Sequence, residues 1–172
     1  MFYTIYKVVQ SIFNTLHSEG TPGQVAAGLA LGAFLGLTPL ASLHNVLIFA
    51  LICFFNVSWG GAMLGWAIFT PLGFMLDPMF DAIGHQLLFA PSLDGLWTTL
   101  YNAPVIPLTN FNNTVVLGSF VFATIFFLPF FFFFRWGVDR YRETAGAWLK
   151  ETRFYHVITA TKLINVYQLF FR

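Results

Sequence analysis

Residues 8–134 contain no lysine and no arginine, a run of 127 positions. Binding to nucleic acid needs a basic field, so this absence excludes it. Charge of either sign is scarce: 9% of the chain is charged, against about 25% in soluble domains. Residues 20–76 and 95–134 have no charged side chain at all. With 58% apolar residues, 20% aromatic residues and a mean hydropathy of +0.73, the chain lacks the polar groups to coat a water-facing surface. A soluble enzyme is excluded, and an integral membrane protein of one domain is implied.

Cysteine is nearly absent too. Cys53 stands alone in an apolar run, so no internal disulfide forms and no redox compartment follows. Polar residues interrupt the chain up to Gln24, which leaves no compact apolar stretch for signal cleavage, and the N-terminus is expected to be retained. Phosphate-binding loops, zinc-ligand spacings and nucleophile elbows are missing. Ser42 and His44, two positions apart, would point away from each other on a helix. No enzymatic activity, cofactor or metal is expected.

What is present reads as helices. Phe2, Ile5, Tyr6, Val9, Ile12, Phe13 and Leu16 form an apolar stripe opposite Lys7, Gln10 and Asn14. That pattern predicts an amphipathic helix within residues 1–19, lying on the membrane or on the protein's own core. Gly20, Pro22 and Gly23 end it. Residues 24–37 and 43–56 are apolar, 14 positions each, or about 21 Å of helix against a hydrocarbon core of about 30 Å. The break between them carries Thr38, Pro39, His44 and Asn45. A re-entrant or short helical hairpin is expected here, its polar tip buried in protein or lining a wet cavity. Gly28, Gly32 and Gly36 recur at steps of four and clear one helix face for close packing, and Gly61 and Gly65 do the same one segment later.

Residues 59–76 read as a span bent at Pro71. Asp77, Asp81 and His85 follow at steps of four. Three such groups extend over about 12 Å of helix axis, too far for one tetrahedral ion, so a solvated face at the membrane boundary is the expected role. Prolines and asparagines mark residues 91–113 as an extracytoplasmic loop, with a short interfacial helix around Leu93, Leu96, Trp97, Leu100 and Tyr101. Residues 114–134 form the clearest transmembrane helix, ending with seven phenylalanines in nine positions. Seven of the eight basic residues lie from Arg135 onward. The segment 135–172 therefore reads as a cytoplasmic tail of amphipathic helices, Lys7 and the N-terminal amine favour the same side, and two cytoplasmic termini demand an even number of crossings. The expected fold is all-α: a hairpin and two transmembrane helices within a membrane domain over residues 20–90 and the helix at 114–134, with surface helices at both ends. Four short spans satisfy the same count.

Six residues from Val25 to Leu40 recur at an offset of 32 in residues 57–72, including Thr38-Pro39-Leu40 and Thr70-Pro71-Leu72. Paired Gly/Pro-interrupted segments are the pattern that marks midplane sites in transporters. Thr38 and Thr70 are expected to bond carbonyls one turn back, and the two breaks to satisfy each other through His44 and Asn45. His44 is read first as a cap for carbonyls freed near Pro39, second as a headgroup ligand or proton relay.

The order Gly28-x3-Gly32-x3-Gly36, Pro39-x4-His44, Gly65 and Thr70-Pro71-Leu72 resembles a widespread family of small bacterial inner-membrane proteins of unknown function. The resemblance covers about residues 20–90. Ser42 stands where the family usually has glycine and Thr70 where many members have asparagine, as in a divergent subfamily. The resemblance implies a bacterial inner-membrane location and a gene neighbourhood with a larger, singly anchored envelope protein. It implies no chemistry. Two functions are carried forward. One is an accessory module that docks to such a protein and supports lipid transfer or envelope assembly. The other is a small, self-associating transporter or channel with its polar site at the breaks. Membrane lipid is a partner in both.

Overall fold

The computed structural model describes residues 20–151, with side chains through residue 144. The amphipathic helix expected over residues 1–19, and the tail beyond 151, lie outside the described residues. All regular structure described is helical: α1 (Pro22–Leu37), α2 (Leu43–Phe54), α3 (Trp59–Leu88), α4 (Asp94–Tyr101) and α5 (Thr114–Glu151), with 3-10 turns at Pro91–Leu93 and Ile106–Thr109.

α1 opens with a reciprocal cap. The Thr21 amide donates to Gln24 Oε1 at 2.7 Å and the Gln24 amide to Thr21 Oγ1 at 3.3 Å, with Pro22 supplying the first helical φ. Eleven of its 16 residues are buried. A helix apolar on every side belongs in a core, and α1 is packed between α3 and α5. α3 runs parallel to it. A methyl group on Gly28 or Gly32 would overlap the carbonyls of Ser58 or Ala62, and one on Gly36 would sit 2.8 Å from the Thr70 nitrogen. From the other side, a Cβ on Gly61 would lie 2.9 Å from the Val25 carbonyl, and one on Gly65 would overlap that of Leu29. The five glycines picked out by spacing thus line one backbone-to-backbone contact.

α5 returns antiparallel to α3. A methyl on Gly84 would overlap the Thr114 carbonyl, and one on Gly118 that of Phe80. Asn113 Oδ1 accepts from the Val116 amide at 3.1 Å and caps α5. Farther along, Phe69 meets Phe130 and Phe134, with centroids 5.3 and 5.9 Å apart. Val138 then closes a small cluster with Val25 and Leu29.

Three boundaries differ from expectation. α3 passes straight through Pro71 and Pro78 to Leu88 rather than ending near Leu76. The residues after Pro71 are Leu72, Gly73 and Phe74, and none offers a side-chain bond to compete with the helix. α5 likewise continues past Arg135 without interruption to Glu151. Arg140 pairs with Glu143 at 3.6 Å, and Arg135 lies 4.0 Å from Asp139; pairs at these spacings sustain a helix where the apolar run stops. The segment 135–151 therefore continues α5 without a break and does not form a separate helix. The third is the hairpin, whose first helix starts at Pro22 and whose second ends at Phe54.

α3 and the stretch Thr114–Thr144 of α5 are long and apolar enough to cross a membrane. Only 22% and 28% of their most apolar windows are buried inside the protein, so most of that apolar surface faces outward.

Candidate functional site

The break between α1 and α2 is closed by its own side chains. Thr38 Oγ1 donates to the Phe34 carbonyl at 2.9 Å and to Asn45 Oδ1 at 2.7 Å, two directions shared by one hydroxyl. Asn45 Nδ2 donates to the Pro39 carbonyl at 2.9 Å, and Ser42 Oγ reaches the same oxygen at 2.9 Å. Thr38, Ser42 and Asn45 are all buried. A proline ends α1 by removing a donor and disfavouring helix at the residue before it, and the Phe34 and Pro39 carbonyls on either side of Thr38 are both bonded by side chains of the break.

The capping role expected of His44 belongs to Asn45. Successive helix positions are rotated by about 100°, so with Asn45 turned to Pro39, His44 faces α5. Its ring lies 5.0 Å from that of Phe120, and its buried Nε2 has no hydrogen-bond partner among the described residues. Thr70 Oγ1 bonds back to the Trp66 carbonyl at 2.7 Å, as expected of it. The second break is beside the first: a Cβ on Gly73 would lie 2.6 Å from the Gly36 carbonyl and 3.3 Å from Leu37 Cα. α3 is unbroken there, however, and no hydrogen bond joins Thr38 to Thr70. Gly73, Gly84 and Gly118 extend the close packing and were not singled out from sequence. An isolated glycine gives no periodic signal; only the contact reveals it.

Asp77, Asp81 and His85 do not converge. Asp81 Oδ1 accepts a short hydrogen bond from Thr114 Oγ1, which ties α3 to the first residue of α5. His85 packs against Phe89 in a tilted arrangement, with centroids 4.4 Å apart. No cluster of three metal-ligating side chains occurs among the described residues. The short helix α4 does fall within residues 91–113, and Trp97 Nε1 donates to the Leu87 carbonyl at 2.9 Å, holding it to the end of α3. The loop then folds back over the hairpin, where Asn110 Nδ2 reaches the Ala41 carbonyl at 3.5 Å.

Two cavities lie on the α2–α3 side. One is an apolar groove of about 410 Å³, walled by Val46 and Phe49 of α2 and by Trp59, Met63 and Trp66 of α3, with Asn45 its one polar lining residue. The other, of about 400 Å³, is lined by Gln24, Asn56, Ser58 and Trp59 among others. Only Asn45, Ile48 and Ile52 of α2 are buried, and Val46, Leu47, Phe49 and Phe54 are exposed.

The model of a family described as "Uncharacterized protein conserved in bacteria (DUF2062)" matches residues 8–146. An "Uncharacterized protein" of Treponema pallidum (strain Nichols) is 31% identical over 132 residues, covering 77% of this chain and 82% of that protein. No solved structure matches the chain. The family match extends well beyond residues 20–90, taking in residues 91–113 and α5 as far as residue 146 as well as the hairpin.

Proposed function

Since the chain belongs to the family of uncharacterized bacterial proteins DUF2062, we propose that it is a non-enzymatic module of the bacterial inner membrane that docks to a larger envelope protein and supports lipid transfer or envelope assembly. Cytoplasmic termini are part of the proposal. They are supported by the contact of Arg142 with Gly20, which brings the basic end of α5 to the start of α1. The hairpin is proposed to be re-entrant. α1, with 16 residues, is about 24 Å long, and its end lies beside Gly73, midway along the 30-residue α3. A hairpin that turns at half depth needs its tip satisfied by protein, and the Thr38–Asn45–Pro39 bonds do that.

The observation that carries the choice of function is the closure of this tip. A transporter with its site at the breaks needs polar groups left over for a solute. Asn45 spends both ends of its carboxamide, and Thr38 and Ser42 spend their hydroxyls, on the hairpin itself, and the one nitrogen left over, His44 Nε2, is buried beside Phe120 and lines neither cavity. The polar break is a latch, and what the protein offers outward is apolar surface for lipid.

Gentle solubilisation of tagged protein from its native membranes tests this. A singly anchored envelope protein and phospholipid are expected to co-purify in fixed proportion, and crosslinking in intact cells to capture the same protein. Recovery of the chain alone, with solute flux through it after reconstitution, would overturn the reading in favour of the transporter.

A further inference from the structure

α3 carries two prolines in its interior and stays α-helical from residue 59 to residue 88. An interior proline has no amide hydrogen to give, so the carbonyl four positions earlier loses its donor. Pro71 does this to Ala67, and Pro78 to Phe74. Ala67, Pro71, Phe74 and Pro78 follow one another at the spacing of a heptad seam, and all four are exposed. Gly61, Gly65 and Gly73, buried against α1, lie on another face. Along the seam Phe74 and Met75, 73% and 76% exposed, are the most exposed large apolar side chains of α3.

Within a membrane, a carbonyl freed by proline is bonded again by a local 3-10 or π turn, a serine or threonine, water, or a neighbouring helix. α3 contains no such turn. The nearest hydroxyl, Thr70 Oγ1, is spent on the Trp66 carbonyl, and no side chain of the described residues bonds Ala67 or Phe74. Water needs further polar partners, and the adjoining Ile68, Leu72 and Met75 supply none. That leaves a helix, and no described helix covers the seam. A second copy of this chain lacks what is needed. Its α3 would bring the same prolines and apolar side chains to a two-fold contact, and the exposed Thr124 of α5 has its hydroxyl on the Phe120 carbonyl. Pro129 frees one carbonyl of α5, that of Ile125, but among the described helices only α3 has two on one seam.

We propose that this seam is the docking face, and that it takes one transmembrane helix of a different protein. That helix carries hydrogen-bond donors (asparagine, glutamine, serine or threonine) seven positions apart, which bond the Ala67 and Phe74 carbonyls. This rests on the docking reading above and supplies its face and the chemistry of its partner. Seven residues rise about 10.5 Å, so a helix packed at a shallow angle reaches both carbonyls from a single face.

The full-length protein, labelled at its one cysteine, the exposed Cys53, is reconstituted in vesicles of phosphatidylethanolamine and phosphatidylglycerol. The probe is a labelled leucine peptide of about 21 residues with two asparagines seven positions apart, and association is read by energy transfer. It is expected to bind about fivefold or more tightly than an all-leucine peptide or one with its asparagines on opposite faces. Pro71→Ala combined with Pro78→Ala restores both amide donors. This variant is expected to melt no lower than the wild type and to lose the preference, whereas Pro129→Ala keeps it. Equal binding of the three peptides, a preference that survives in the double variant, or one lost equally in Pro129→Ala would each overturn the proposal.

A photocrosslinking residue at Phe74 in intact cells is expected to capture a donor-bearing helix of another protein, and capture of a second copy would refute the assignment. An envelope protein captured from Leu128 of α5 but never from Phe74 removes this face and leaves the docking function standing. Selective binding of the matched peptide, with no envelope protein captured from either position, removes the docking function and leaves the donor-binding seam.

Discussion

Arg142 and Gly20, 122 positions apart, are joined by a hydrogen bond of 3.0 Å from the guanidinium to the glycine carbonyl. The start of α1 and the charged end of α5 therefore occupy the same end of the protein. Cysteines placed at Thr144 and Thr98 in a Cys53→Ser background are expected to react with an impermeant reagent from opposite sides of the membrane. Labelling of both from one side would contradict the topology.

Gly32→Leu is expected to cost about 3 kcal/mol or more, at or above the upper end for overpacking, because the side chain would be driven into the Ala62 carbonyl rather than into flexible neighbours. Phe132→Leu, 60% exposed on α5, should cost no more than about 0.5 kcal/mol. Thermal unfolding in detergent compares the two, and equal melting temperatures would remove the α1–α3 contact.

Asn45→Ala leaves the Pro39 carbonyl with one donor fewer and the Thr38 hydroxyl without an acceptor beyond Phe34, inside the protein. A loss of about 1–3 kcal/mol is expected. His44→Phe removes a buried nitrogen that has no partner among the described residues and keeps the ring against Phe120. It should leave stability unchanged or raise it. If the His44 variant is the more damaging, the latch has been assigned to the wrong residue.

Asn113→Ala removes the side-chain cap of α5 and is expected to cost about 1 kcal/mol. Addition of zinc or of a chelator should not move the melting temperature, because Asp81 is engaged by Thr114 and His85 by Phe89. A chelator-dependent fall would place a metal on the Asp77–His85 face after all.

Much of this architecture was legible because it depends on local rules. Gly20 and Pro22 mark the start of α1 and Thr38-Pro39 its end, and glycines at steps of four declare a packing face without naming its partner. The partner turned out to be the parallel helix that carries Gly61 and Gly65. Proline was the less reliable guide. Pro39 ends a helix, and Ser42 and Asn45 hold the turn after it by bonding the Pro39 carbonyl, whereas Pro71 and Pro78 lie inside α3, which continues through both. The choice between His44 and Asn45 was a matter of rotation about the axis of α2, and two adjacent polar residues at a helix start do not reveal which one faces inward. The contact of Gly84 with Thr114 and of Gly118 with Phe80 was beyond any periodicity, since it joins two single glycines from different helices.

α1 is the most enclosed of the helices and is also the first of them to leave the ribosome. The walls that enclose it, α3 and α5, are completed only after roughly 100 further residues, a delay of about 5–20 s at bacterial rates of synthesis. For the first half of that interval this uncharged stretch lacks its glycine-matched neighbour α3, and throughout it lacks the wall supplied by α5. α1 is therefore committed last although it is made first, and a chain cut after Ala90 is expected to be cleared by membrane proteases, with pulse-chase labelling showing decay within minutes while the full chain persists. Any insertase or chaperone serving this protein must hold α1 for that time.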